Sequence, residues 1–283
     1  MATLNKRLSV FLAAAVLHLT AAAAPDTADL GFINGLPFTT VKIGATASRM
    51  MIDSGGALGL SIPESTVKQS GSVTLLESKA RFRDLHGKVF EVPNLVARQV
   101  VVGTTELGPV EGRLHVEWGG KDSNAELNKA RETGAIGLAA FGNRPLMFDY
   151  ANARMVIYAA GEGPQAGKDG WQALPLAWGK EGPNVTLQVG GQPRKFVLDT
   201  GAPVNLVDAG KVPAPACQGC DPRQLGELRG EEGRSFGALT AERIDLNGAP
   251  FDGILGAPFF RAHRVLIDTA GRRLLVQPVQ PAL

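Results

Sequence analysis

The chain is poor in the groups on which redox, metal and nucleophilic chemistry are usually built. Its only cysteines are Cys217 and Cys220, in PACQGCDP. A C-x-x-C of this kind can pin a surface loop as a local disulfide, work as a thioredoxin-like redox pair, or ligate zinc. The redox use needs a strand before the motif and a helix after it, and Pro213, Pro215 and Pro222 argue against both. The zinc use needs further ligands, and His86, His115 and His263 show no ligand spacing around the motif. A disulfide between Cys217 and Cys220 is therefore the expectation. Neither H-E-x-x-H nor G-x-S-x-G occurs, so those metallohydrolase and serine-hydrolase signatures are absent. No cofactor and no metal is expected.

Long apolar runs are also scarce. The run Leu8 to Leu19 is too short to span a bilayer comfortably, and no later segment approaches the required length. Lys6 and Arg7 precede it and Ala21 to Ala24 follow it, so residues 1–24 read as a cleavable export signal. The expected location is periplasmic or secreted. The formal net charge is +2, and removing Lys6 and Arg7 with the leader cancels it. A near-neutral chain offers no electrostatic case for nucleic acid or an anionic membrane. The 283 residues suffice for two domains, each with its own core. The 35 glycines and 18 prolines, with few long helical periodicities, favour strands and turns.

The chain instead contains an internal repeat. Gly35 to Ile62 lies without a gap over Glu181 to Asp208, which aligns Asp53 with Asp199. Ala135 to Tyr158 lies likewise over Ile254 to Gln277. Two units of this length are too long and too few for a solenoid and read as two pseudo-symmetric domains. If the halves face each other across a two-fold axis, Asp53 and Asp199 can meet. The expected organisation is a first half over 25–158, a Gly-rich linker over 159–170 and a second half over 171–283.

Within each half the pattern is that of strands. Val41 and Ile43 alternate with polar neighbours, as do Val185, Leu187 and Val189. Met50-Met51-Ile52 and Phe196-Val197-Leu198 are continuously apolar and each ends on its aspartate, as a buried strand carrying a carboxylate to its tip would. Arg81 to Val89 and Leu228 to Leu239 read as hairpins, the first the better candidate for a substrate-covering flap. A short helix is expected from about Ser123 to Arg131, capped by Ser123 or Asp122.

Apolar-apolar-Asp-[Ser/Thr]-Gly, followed by apolar-apolar-Gly, occurs twice: MIDSGG with AIGLAAF, and VLDTGA with ILGAPFF. This double set resembles the two-lobed aspartic proteases of the pepsin/retropepsin superfamily. The resemblance implies a mainly β, bilobal acid-protease fold of two pseudo-two-fold-related, β-barrel-like lobes. It further implies Asp53 and Asp199 as catalytic residues, with a water between them and a peptide or protein substrate in the cleft. Ser54, Gly55, Thr200 and Gly201 would support the pair, the two hydroxyls by bonding across the axis. His86 and Gly87, at the flap tip, would touch substrate, although a solvated hairpin histidine is the plainer reading of His86. Pepsin-like enzymes carry a flap tyrosine, and the only tyrosines here are Tyr150 and Tyr158. Gly56 and Ala202, after the two motifs, are closer to the retropepsin style. A monomer is expected.

Two carboxylates within hydrogen-bond reach cannot both ionise, so they share a proton and their apparent pKa values split. One can then take a proton from water while the other donates to a carbonyl oxygen. Asp149 and Asp268 form a second symmetric pair and are rivals for that role. Each precedes a turn, with Asn152 and Gly271 suited to positive φ, so a carboxylate accepting turn N–H groups also explains them. A non-catalytic bilobal binding protein that kept the fold is the alternative from another functional class.

Overall fold

The computed structural model describes residues 24–55, 59–83, 87–116, 125–216, 219–246 and 248–279. Over these residues the protein is mainly β and bilobal, built from three sheets. A ten-stranded sheet is formed by the first half and an eight-stranded sheet by the second. A six-stranded antiparallel sheet joins them, and each half supplies three of its strands.

In the first half, Leu36–Ile43 runs antiparallel to Thr46–Asp53. Its outer part alternates as expected, with Val41 and Ile43 buried and Thr40 and Lys42 exposed. Met50, Met51 and Ile52 are all buried, because their strand is enclosed on both faces. On its other edge Thr46–Asp53 pairs in parallel with Ala135–Gly137, which in turn pairs antiparallel with Leu60–Ile62. The second half repeats this arrangement. Gly182–Val189 pairs antiparallel with Gln192–Leu198, which pairs in parallel with Gly253–Leu255, itself antiparallel to Leu206–Asp208. The repeat seen in the sequence is thus a repeat of strand pairing.

The joining sheet runs in the order Asp26–Asp29, Arg154–Ile157, Leu146–Asp149, His263–Asp268, Arg273–Pro278, Gln172–Pro175. At its centre Leu146 pairs with Ile267 and Phe148 with Val265. Phe148 meets Phe260 edge-to-face, ring centroids 5.6 Å apart, and Tyr150 stacks on the same Phe260 at 5.6 Å. One apolar cluster includes Ile52, Leu60 and Phe148 from the first half and Val185, Leu198 and Phe260 from the second. Each such side chain stabilises the folded state by about 1.5–3 kcal/mol, so the two lobes hold each other in register. Residues 158–171 carry no helix or strand.

Both expected hairpins form. Val73–Arg83 pairs with Val89–Ala97, and Gln224–Arg229 with Ser235–Thr240. The short helix is Ala125–Arg131, and the cap residues proposed for it lie outside the described residues. Two local expectations are corrected. Positive φ falls on Ala153 and Arg272 rather than on Asn152 and Gly271. In the first case a 3₁₀ turn over Tyr150–Asn152 holds Asn152, and the left-handed residue comes directly after the turn. The Asp149 carboxylate also takes no turn N–H. Oδ2 accepts from Asn152 Nδ2 at 2.7 Å and from the Arg154 guanidinium at 3.2 Å. At Asp268 the turn reading holds, since Gly271 N–H donates to Oδ1 at 2.8 Å.

Candidate active site

The strands Thr46–Asp53 and Gln192–Leu198 deliver their aspartates to one place. Gly137 pairs with Asp53 in the parallel register, and Asp199 N–H donates to the Leu255 carbonyl at 3.0 Å. Ala135-Ile136-Gly137 and Ile254-Leu255-Gly256 therefore brace the strand ends. The two carboxyl groups face one another: a Cβ on Gly201 would lie 3.1 Å from Asp199 Oδ1 and 3.2 Å from Asp53 Oδ1.

The backbone is shaped around this pair. Gly55 N–H donates to Asp53 Oδ1 at 2.9 Å, and Gly201 N–H to Asp199 Oδ1 at 2.7 Å. A Cβ on Gly55 would lie within 2.6 Å of both Asp199 carboxylate oxygens, and one on Gly201 would lie 3.2 Å from Asp53 Cγ. Glycine is needed here for space, since each loop rests against the opposite aspartate.

Ser54 and Thr200, both fully buried, tie the loops together. Ser54 N–H donates to Thr200 Oγ1 at 3.0 Å, and Thr200 N–H donates to Ser54 Oγ at 2.9 Å. Each hydroxyl then donates across the axis, Ser54 to the Leu198 carbonyl at 2.8 Å and Thr200 to the Ile52 carbonyl at 2.7 Å. Four bonds thus close a reciprocal lock, and serine in place of threonine loses none of them.

Burial raises both carboxyl groups above the ordinary carboxylate range, and the charge on Asp199 raises Asp53 further. Against this, Gly55 N–H and the Arg113 guanidinium favour the ionised form of Asp53, while Gly201 N–H, Asp53 and Gly55 N–H do so for Asp199. The balance favours one proton shared by the pair.

The rival pair is neutralised in a different way. Asp149 is fully buried against Arg154 and Arg264, at 3.2 and 3.3 Å. Burial alone would raise its pKa, but Asn152 and the two arginines outweigh it and hold the carboxyl below the usual range. Asp268 pairs with Arg273 at 2.8 Å. Both are structural charges within the joining sheet.

His86 lies outside the described residues, and Gly87, beside it, has φ 84°. Cys217 also lies outside them, while Cys220 lies within. Among the described residues no group of three metal-binding side chains occurs, and no helix is long and apolar enough to cross a membrane. A cavity of about 540 Å³ between Trp171, Leu174 and Phe236 is lined by neither aspartate.

Two neighbours of the dyad escaped the sequence reading. Arg113 acts electrostatically on Asp53. Tyr150 is buried with its hydroxyl unpartnered, and burial together with the Asp199 charge raises its pKa. Neither lies in a motif. The one signal for Arg113 was a lone arginine between strand residues in VEGRL.

This geometry on two pseudo-symmetric lobes defines the two-lobed aspartic-proteinase fold. Among solved structures the chain is similar to the aspartic proteinase from Irpex lacteus, with a TM-score of 0.60 and 12% sequence identity, over 91% of this chain and 98% of that one. No family model and no curated protein matches the sequence.

Proposed function

We propose that the protein is an aspartic endopeptidase that hydrolyses peptide bonds of an extended segment bound between the lobes. The observation that carries this reading is a pair of facing carboxyl groups on two loops locked together by four reciprocal hydrogen bonds. Stability does not call for such an arrangement, because two acids buried against each other oppose folding.

In the reaction a water held between the carboxyl groups loses a proton to ionised Asp199, and its oxygen attacks the scissile carbonyl carbon. Asp53 gives its proton to the carbonyl oxygen, leaving a neutral tetrahedral diol. As the C–N bond breaks, the nitrogen takes the proton held by Asp199 and the carbonyl reforms by returning a proton to Asp53. The products are a carboxylic acid and an amine, and the dyad regains its starting state. Ser54, Thr200, Gly55 and Gly201 position the acids and take no proton. The peptide backbone is the substrate class, and export through the leader 1–24 puts the enzyme outside the cytoplasm.

The test is cleavage of denatured casein from about pH 3 to 7, with and without pepstatin, by wild type and by Asp53→Asn. The variant is expected to lose about a hundred- to ten-thousandfold in rate. Undiminished cleavage by Asp53→Asn would remove the dyad from the chemistry.

A further inference from the structure

Arg113 sits on the strand Val110–Leu114, paired with Asn94 on one side and Ser61 on the other. Its guanidinium lies 3.5 Å from the centroid of the Phe82 ring. Phe82 stacks on Phe90 at 5.2 Å with 11° between the planes, so the distal part of the first-half hairpin forms an aromatic plate above the arginine. A cation held flat on an aromatic face is oriented as well as attracted. The same guanidinium acts electrostatically on Asp53, so it spans from the hairpin toward the dyad.

The half-buried Arg264 and Arg273 each have a carboxylate at hand, Asp149 and Asp268, and the half-buried Arg243 donates to the Val212 and Ala209 carbonyls. Arg113 is half-buried and forms no ion pair among the described residues; the one charge acting on it is that of Asp53. A partly desolvated cation without a contacting anion is left with unused hydrogen-bonding capacity. Among the described residues no acid pairs with it. Around the hairpin tip the sequence reads RFRDLHGK, with Arg81, Arg83 and Lys88 against a single acid. The second-half hairpin differs, with Glu227, Glu231 and Glu232 beside Arg229 and Arg234.

We propose that Arg113 is a specificity-determining residue that binds an acidic side chain, aspartate or glutamate, flanking the scissile bond of the substrate beneath the Phe82–Phe90 plate. The inference rests on the peptidase reading and names the substrate class for it. A planar guanidinium held against an aromatic ring offers two parallel N–H donors to a carboxylate, a geometry that an uncharged amide does not match.

The experiment profiles cleavage of a random-peptide library by wild type, Arg113→Met and Arg113→Lys, then compares kcat/KM for the best peptide and its Glu-to-Gln twin. Wild type is expected to prefer the acid by about tenfold or more at one position next to the cleaved bond. Arg113→Met should lose that preference while still cleaving the Gln peptide, and Arg113→Lys should keep part of it. Equal use of the acid and amide peptides by wild type, or an undiminished preference in Arg113→Met, would overturn the proposal. Calorimetric binding of both peptides to Asp199→Asn separates the two readings. Acidic preference in binding without cleavage by wild type would overturn the peptidase reading alone. Cleavage without that preference would overturn the role of Arg113 alone.

Discussion

Asp53 with Asp199 and Asp149 with Asp268 arise from the same internal duplication, and the two pairs carry their charge in opposite ways. Each member of the second pair has an arginine five residues on, Arg154 and Arg273, which reaches back from the neighbouring strand. Each member of the first has a glycine two residues on, whose missing side chain lets the opposite aspartate approach. Arginine makes a carboxylate a fixed structural charge with a depressed pKa, as at Asp149. Glycine and a facing acid make it a proton holder with a raised one, as at Asp53. Asp53, Asp149 and Asp268 are buried and Asp199 is half-buried, so the residues that follow, more than burial, separate the two pairs.

The comparison is sharpest in a pair of substitutions with opposite effects. Asp199→Asn should abolish cleavage and leave the fold intact, because it removes an acid buried against another acid. Asp268→Asn should do the reverse. Removing one partner of a fully buried ion pair costs about 3–5 kcal/mol. Arg273 is 35% exposed, and solvent screening reduces the expected loss to about 2 kcal/mol. Urea unfolding of Asp268→Asn measures it, and activity per folded molecule should remain that of wild type.

Thr200→Val comes next in size. It removes the acceptor of Ser54 N–H and the donor to the Ile52 carbonyl. An orphaned buried N–H costs about 1–3 kcal/mol, read in the same unfolding experiment, and cleavage should fall as the loops lose their common register. Ser54→Thr keeps every bond of the lock but adds a methyl at a fully buried position, and such overpacking costs about 1–3 kcal/mol, read in the same unfolding experiment with cleavage retained.

The smallest effect is in the pH dependence of stability. The folded dyad binds its proton more tightly than the unfolded chain, since burial raises both carboxyl groups. Its contribution is therefore complete below the ordinary carboxylate range and is lost as pH rises through the raised folded value, at about 1.4 kcal/mol for each tenfold gain in proton affinity on folding. Asp149 has the opposite sign, contributing above the ordinary range and losing its contribution as pH falls through its lowered value. Melting temperatures from pH 5 to 7 should fall more steeply for wild type than for Asp53→Asn. Parallel curves would mean that the dyad carries no displaced proton.

The dyad and its lock were legible because each half of them is contiguous in sequence, and the repeat supplied the symmetry that brings the halves together. The strand arrangement followed from the same blocks. What was not legible depends on register between distant segments. Arg264 reaches Asp149 only because Leu146–Asp149 pairs with His263–Asp268. Arg113 meets Phe82 only because the hairpin Val73–Ala97 lies along Val110–Leu114 and shifts register between Leu75 and Lys79. Tyr150 likewise comes within the influence of Asp199 through the joining sheet, far from either aspartate motif. Local pattern fixes neither of these pairings.

The most direct test of the account is cleavage of denatured casein at acid pH by wild type, Asp199→Asn and Asp268→Asn, each normalised to folded protein. The expected result is cleavage by wild type and Asp268→Asn and none by Asp199→Asn. Cleavage by Asp199→Asn at the wild-type rate, or its loss only in Asp268→Asn, would contradict the account.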